Sequence, residues 1–208
     1  LDLFVLTNRY EDTAGYRGGE GVTMEKGRPA LKPGFEKYYE VWYEDEENWG
    51  VTTQGRENFL LRNDGGKFVD VTSAAGLSGR GEGLSTLWFD YDGDGWSDLY
   101  VANDLISLDQ LWRNKGDGTF VNVMGDAVPH TAWFSMGSDF GDVNNDGAMD
   151  FFVADMSATN HFKQKTTMGV MGGKILERSQ STRPPQYMRN AFFINTGTGR
   201  FLEGAFQS

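Results

Sequence analysis

Apolar and polar residues alternate in short runs along most of this chain, and the runs recur. "LSTLWFDY" (84–91), "SDLYVAND" (97–104), "QLWRNKG" (110–116) and "TFVNVMG" (119–125) each read as one short strand. Glycine-rich turns such as Gly-Asp-Gly separate them, the chemistry of hairpin connections. The stretch "DYDGDGWSDLYVAND" at 90–104 then aligns with "DVNNDGAMDFFVADM" at 142–156. Asp90 lies 52 residues before Asp142, and Asp98 lies 52 before Asp150. The opening "LDLFVLTN" fits the tail of the same pattern, with Asp2 in the place of Asp98 and Asp150. Downstream, "NFLLRNDGGKFVDV" (58–71), "QLWRNKGDGTFVNV" (110–123) and "AFFINTGTGRFLEG" (191–204) share a strand, an Asn-centred turn with glycines, and a Phe-led strand.

Self-similarity at about 40–50 residues marks propellers, solenoids or arrays. Four strands per unit, without heptads or a recurrent helix, select an all-β fold of propeller blades over a helical solenoid. The expected layout is a single β-propeller region, 1–208. One blade spans 1–77, lacks its first strand and carries an insertion at 9–57. A second spans 78–129, and a third spans 130–208 with an insertion at 157–189. Closed propellers have about 4–8 blades, so these three are expected to belong to a larger propeller or to assemble with further copies. In the first insertion, Phe35, Tyr38, Tyr39 and Trp42 fall at helical spacing behind Pro33, which predicts a short amphipathic helix. Its aromatic face either packs on the blade or forms a platform for a sugar or a protein. The second insertion carries Met168 and Met171, read as buried, and Lys163, Lys165, Lys174 and Arg178, read as a solvated face.

Composition sharpens this picture. With 38% hydrophobic and 14% aromatic residues the chain can build a core, and 28 glycines against 5 prolines suit many tight turns. The absence of cysteine excludes disulfides, thiolate zinc sites and a cysteine nucleophile. A net charge of −11 argues against nucleic acid as partner. No apolar run approaches the ~20 residues of a membrane span. The chain opens directly into a strand, so it is expected to start partway through a larger or processed protein.

The acidic loops carry the chemistry. Carboxylates this close repel one another and raise each other's pKa unless a cation sits among them. In D-x-D-x-D-G-x-x-D, alternate side chains in a tight turn aim at one point and the sixth-place glycine allows the bend. A seventh-place carbonyl turns inward and the ninth-place Asp closes the shell. Such an oxygen cage suits Ca²⁺, which takes about 6–8 oxygens. Zinc would draw on His or Cys, which neither loop contains. The candidate ligands are Asp90, Asp92, Asp94, Asp98 and the Trp96 carbonyl in loop one. In loop two they are Asp142, Asn144, Asp146, Asp150 and the Ala148 carbonyl. A third, truncated loop would involve Asp2. Asn144 drops one charge, so loop two is expected to bind more weakly. A metal activating water would need an open coordination position, a base and a cleft; the loops themselves supply none of these, and the metal is read as structural.

These loops, the following "DLYVAND" and "MDFFVADM", and the "LWRNKGDGTF" hairpin resemble FG-GAP/VCBS repeats, the calcium-loop blades also found in integrin α-subunit propellers. The stretch from "FFVADM" to "TGRFLE" further resembles bacterial secreted VCBS proteins that often carry an ASPIC/UnbV module. The resemblance implies a propeller of about seven blades when complete, located outside the cytoplasm. Its calcium loops would join the first two strands of each blade and act structurally. Family members serve in adhesion, ligand recognition and surface assembly, and some accompany polysaccharide-degrading domains. The chain departs from the pattern in having few blades, a first loop cut before Asp2 and no ASPIC/UnbV module.

Three function classes follow. The first is a binding or adhesion module for a protein or glycan ligand at the cell surface, in the periplasm or outside the cell. The second is a structural subunit completed by further copies of itself, and the third is the propeller domain of a polysaccharide-processing enzyme. Catalytic candidates are few: His130 is read as structural, His161 is the one position to test, and Glu44, Glu46 and Glu47 read as a solvated run. No G-x-S-x-G or H-E-x-x-H motif is present, and the chain is expected not to be an enzyme.

Overall fold

The computed structural model describes residues 2–8, 21–43, 49–104, 107–157 and 181–204. Among them the fold is all-β, with one four-residue helical turn. The first unit opens with β1 (Leu3–Val5). Its insertion then holds β2 (Val22–Glu25), β3 (Arg28–Leu31), β4 (Tyr39–Tyr43), β5 (Trp49–Thr53) and β6 (Arg56–Glu57). It closes with β7 (Phe59–Asp64) and β8 (Lys67–Asp70), and β9 (Arg80–Gly81) leads out of it. The second unit contains β10 (Gly83–Phe89), β11 (Asp98–Asn103), β12 (Gln110–Asn114), β13 (Phe120–Asn122) and the turn α1 (Met124–Ala127). In the third are β14 (Thr131–Ala132), β15 (Ser135–Gly141), β16 (Asp150–Asp155), β17 (Gln186–Tyr187), β18 (Ala191–Asn195) and β19 (Phe201–Glu203).

Strand order follows chain order. The three larger sheets are β1-β7-β8, β10-β11-β12-β13 and β15-β16-β18-β19, each antiparallel; the remaining strands form two-stranded pairs, of which β14-β17 is parallel. The first of these sheets has three strands. The repeat is kept to the residue: β10 and β11 recur 52 positions later as β15 and β16, including a bulge at Gly83/Ser85 and again at Ser135/Gly137. From β12 to β18 and from β13 to β19 the offset is 81. The second insertion thus adds a net 29 residues (81 less 52) between the middle strands β16 and β18. No ring closes among the described strands.

Residues 35–42 depart from the helix that their spacing predicts. The Phe35 carbonyl accepts from the Tyr38 and Tyr39 amides (both 3.0 Å), a single helical turn that goes no further because Tyr39–Tyr43 runs as a strand paired with β5. Tyr39, Val41 and Tyr43 also satisfy period-two alternation, and aromatic and β-branched residues favour the pleated state. The Phe35 ring lies against Gly21 and stacks on buried Tyr39 at 6.2 Å, so these aromatics pack within the insertion. Glu44, Glu46, Glu47, His161, Met168, Met171, Lys163, Lys165, Lys174 and Arg178 lie outside the described residues.

Face-to-face packing of the sheets makes the core. β11 is buried at every position, and its side chains alternate between two clusters. Leu99 and Val101 join Leu60, Leu77 and Trp112 toward the first sheet. Tyr100 and Ala102 join Phe89, Phe151, Phe193 and Phe201 toward the third. A strand covered on both faces reads as the near-continuous apolar run "LYVA". Phe151 is the hub, with ring centroids of Phe193 at 4.6 Å, Tyr100 at 4.9 Å and Phe201 at 4.9 Å. One buried polar node crosses the same seam. Asp109 accepts hydrogen bonds from the Asn103 amide (2.8 Å), the Tyr100 hydroxyl (2.6 Å) and the Ser135 hydroxyl (2.8 Å). Burial pushes its carboxyl up to about 7, against the lowering effect of these three donors.

Candidate metal centre

Loop one joins β10 to β11 and loop two joins β15 to β16, so both connect the first two strands of a four-stranded sheet. In each, the first aspartate organises the turn. Asp90 accepts from the amides of Gly93 (2.8 Å), Asp94 (3.2 Å) and Gly95 (2.8 Å). Asp142 accepts from Asp146 (3.0 Å) and Gly147 (2.9 Å). Gly95 and Gly147 hold φ +88° and +89°. The fourth place is left-handed as well: Gly93 at φ +75° in loop one, Asn145 at φ +59° in loop two. Asparagine is among the few L-residues that tolerate this region, which is why loop two keeps the turn without the glycine.

The ninth aspartates are anchored inside the sheet. Asp98 is fully buried; its two oxygens accept from the Tyr91 amide at 3.0 Å and the Asn114 amide at 2.7 Å. Asp150 repeats this with the Val143 amide at 3.1 Å and the Asn195 amide at 2.8 Å. Asp2, in the position expected of a third loop, accepts from the Asn63 amide at 2.9 Å. The Asn of each turn is therefore a standing partner of the ninth-place aspartate. Sequence reading singled out the Asn-centred turn as a repeat feature without linking it to the acidic loop.

In loop one, Asp90, Asp92 and Asp98 each bring a carboxylate oxygen within 4.8 Å of the others. Ligands on opposite sides of an ion at roughly 2.3–2.6 Å stand up to about 5 Å apart, so the cluster fits one calcium-sized ion. Asp92 Oδ1 is buried and has no hydrogen-bond partner, an arrangement that costs free energy unless a cation satisfies it. Burial, with Asp94 and Asp90 nearby, raises the Asp92 carboxyl. Asp98 is pushed up to about 6, chiefly by burial, while the Asn114 and Tyr91 amides pull it down and Asp92 and Asp94 raise it. Asp94 is on the turn itself, with Oδ1 accepting from the Trp96 amide at 2.9 Å.

Loop two differs at the third place. Asn144 donates from Nδ2 to Asp146 Oδ2 at 2.8 Å, and the Asp146 amide donates to Asn144 Oδ1 at 3.1 Å. Asp146 Oδ1 accepts from the Ala148 amide at 2.8 Å, as Asp94 does from Trp96. The oxygen that stands unpartnered in loop one is here an amide engaged within the loop.

Residues 90–153 match the FG-GAP-like repeat. The FG-GAP-like match opens at the first aspartate of loop one, crosses the second sheet and both loops, and ends in β16. No curated protein matches the chain. No helix of the described residues is long and apolar enough to cross a membrane.

His130 is buried beneath the third sheet rather than exposed in a cleft. Its Nε2 meets Glu203, with Arg189 Nη2 at 3.0 Å, and Tyr187 packs edge-on at 5.4 Å. These contacts tie β14, β17 and β19 together, a packing role.

Proposed function

We propose that this chain is an extracellular, calcium-stabilised stretch of β-propeller that serves as a non-catalytic binding, adhesion or surface-assembly module. The observation that carries the reading is the loop-one triad, whose buried Asp92 Oδ1 lacks any partner but a cation. Asp90, Asp92, Asp94, Asp98 and the Trp96 carbonyl hold one ion; Asp142, Asn144, Asp146, Asp150 and the Ala148 carbonyl hold a second. Each ion cancels loop repulsion and pins the hairpin on which a four-stranded blade is built, so the metal acts on stability rather than on a substrate. Two ions bring the formal charge from −11 to −7. With its sheets held rigid, the chain presents its connecting loops to a protein or glycan.

Native mass spectrometry with and without calcium tests the reading. Two bound ions, with a melting temperature that drops on their removal, support it. A monodisperse protein that binds no calcium and melts identically in its absence overturns both the metal assignment and calcium-dependent assembly.

A further inference from the structure

The two loops are not independent in space. Asn195 belongs to the third sheet, where its amide holds Asp150 Oδ1 at 2.8 Å, yet its side chain reaches the neighbouring sheet. Nδ2 donates to the Tyr91 carbonyl at 2.6 Å and to the Met149 carbonyl at 3.1 Å, while Oδ1 accepts from the Gly197 amide at 2.9 Å. Two carbonyls on one end and an N–H on the other fix the amide's orientation. Tyr91 sits between the loop-one residues Asp90 and Asp92, and its own amide donates to Asp98. Its ring is buried and stacked on Phe201 of the third sheet at 5.9 Å.

The hydrogen bonds therefore run without a break from one acidic loop to the other. Asp98 holds the Tyr91 amide, the Tyr91 carbonyl holds the Asn195 side chain, and the Asn195 amide holds Asp150. Asn114 occupies the same place in the second sheet and makes the matching bonds to Asp98, to the Ser97 carbonyl (3.1 Å) and from the Gly116 amide (3.0 Å). It has no bond to a neighbouring loop among the described residues. The bridge is thus particular to the seam between loops one and two.

We propose that Asn195 is a positioning residue that couples the two loops, so that an ion in either one tightens the other. The inference rests on the calcium reading above. An ion in loop two fixes Asp150 and, through the strand end it anchors, the Asn195 side chain. That side chain sets the peptide between Tyr91 and Asp92, and with it the placement of Asp92 for an ion in loop one. Linkage makes the effect reciprocal.

The test is calorimetric calcium titration of the full chain and four variants. Asp146→Asn disables loop two and leaves one ion per chain, held in loop one. Coupling predicts that this ion binds roughly fivefold more weakly than the loop-one ion of the parent protein, about what one buried hydrogen bond is worth. Asp94→Asn should weaken loop two by the same factor. In an Asn195→Ala background the Asp146→Asn change should leave loop one's affinity where Asn195→Ala alone has put it. Unchanged loop-one affinity in Asp146→Asn overturns the coupling even if Asn195→Ala fails to fold. Absence of calcium binding to the parent chain is a different failure, one that removes the metal reading itself.

Discussion

Replacing Asp98 by Asn separates what the loop costs from what an ion returns. Burial moves the Asp98 carboxyl from an ordinary 3.8 to about 6. At ~1.4 kcal/mol per unit this is on the order of 3 kcal/mol, cut to roughly 2 by solvent at the loop rim. Without metal, the folded state holds this proton more tightly than the unfolded state. The Asp98 contribution to stability is then fully present below about pH 4 and is lost as pH rises through about 6. Calcium reverses the dependence because it needs the free carboxylate. At pH 5, a unit below the folded value, only about a tenth of the metal-free molecules offer that carboxylate, so the ion binds about tenfold more weakly.

Asp98→Asn removes the charge but turns an amide N–H toward one of the two backbone donors, Tyr91 or Asn114, leaving it unpaired at about 1–3 kcal/mol. Gain and loss nearly cancel in the metal-free protein, so the variant should melt within about 4 °C of the parent there. In excess calcium at pH 7.5 it should lose the stabilisation supplied by loop one. For the parent, the calcium-induced rise in melting temperature should shrink by about 3–6 °C between pH 7.5 and pH 5, from ~1.4 kcal/mol at 2–4 °C per kcal/mol. The assay is thermal melting of protein stripped over chelating resin, with and without added calcium. Buried Asp109, pushed up to about 7, titrates in both conditions and cancels in the difference. An equal calcium increment at both pH values, or an Asp98→Asn loss as large without metal as with it, would refute the assignment.

Asp92→Asn should cost the metal-free protein nothing measurable, because the parent oxygen is buried without a partner. The same change should reduce bound calcium from two ions to one by native mass spectrometry, and retention of both would show that Asp92 is not a ligand. Asn144→Asp should tighten loop two, since it replaces the amide that now donates to Asp146 with a further carboxylate. A titration showing weaker or unaltered binding speaks against that ligand position. Phe151→Ala should cost about 3–5 kcal/mol by urea denaturation, as expected when an aromatic ring at the centre of a core is truncated. A cost under about 1 kcal/mol would mean that the second and third sheets do not pack through this ring.

The strands were legible because their burial is regular. "LYVA" in β11 is apolar at successive positions because sheets cover both its faces, whereas "FFVA" in β16 keeps the pattern with Phe152 exposed, and the 52-residue offset survives down to the bulge. The insertion was misread because helical and strand patterns overlap in it. Phe35, Tyr38, Tyr39 and Trp42 fit a 3.6 period, Tyr39, Val41 and Tyr43 fit a period of two, and the deciding feature is the pairing of Tyr39–Tyr43 with β5, a partner the local pattern does not show. Asp109 was passed over because nothing local marks it. Its hydroxyl partners, Tyr100 and Ser135, stand 9 and 26 residues away on two sheets.

The acidic loops show the limit of spacing most clearly. Reading them as nine-residue motifs treats the last aspartate as one more ligand, equal to the others. In the fold it is unlike them: Asp98 and Asp150 are fully buried, and each already holds two backbone amides. One of those amides belongs in each case to the turn asparagine, and Asp2 holds its own at Asn63. The same bond spans 61, 16 and 45 residues in the three units, so no fixed interval along the chain could disclose it. What is constant is the geometry, a carboxylate at the start of the second strand facing the end of the third. The ninth aspartate therefore has a structural duty that precedes any ion, the closing of the sheet at its loop end. Asp90 and Asp92 have no such anchor in a neighbouring strand: Asp90 holds the amides of its own turn, and Asp92 keeps one buried oxygen without a hydrogen-bond partner.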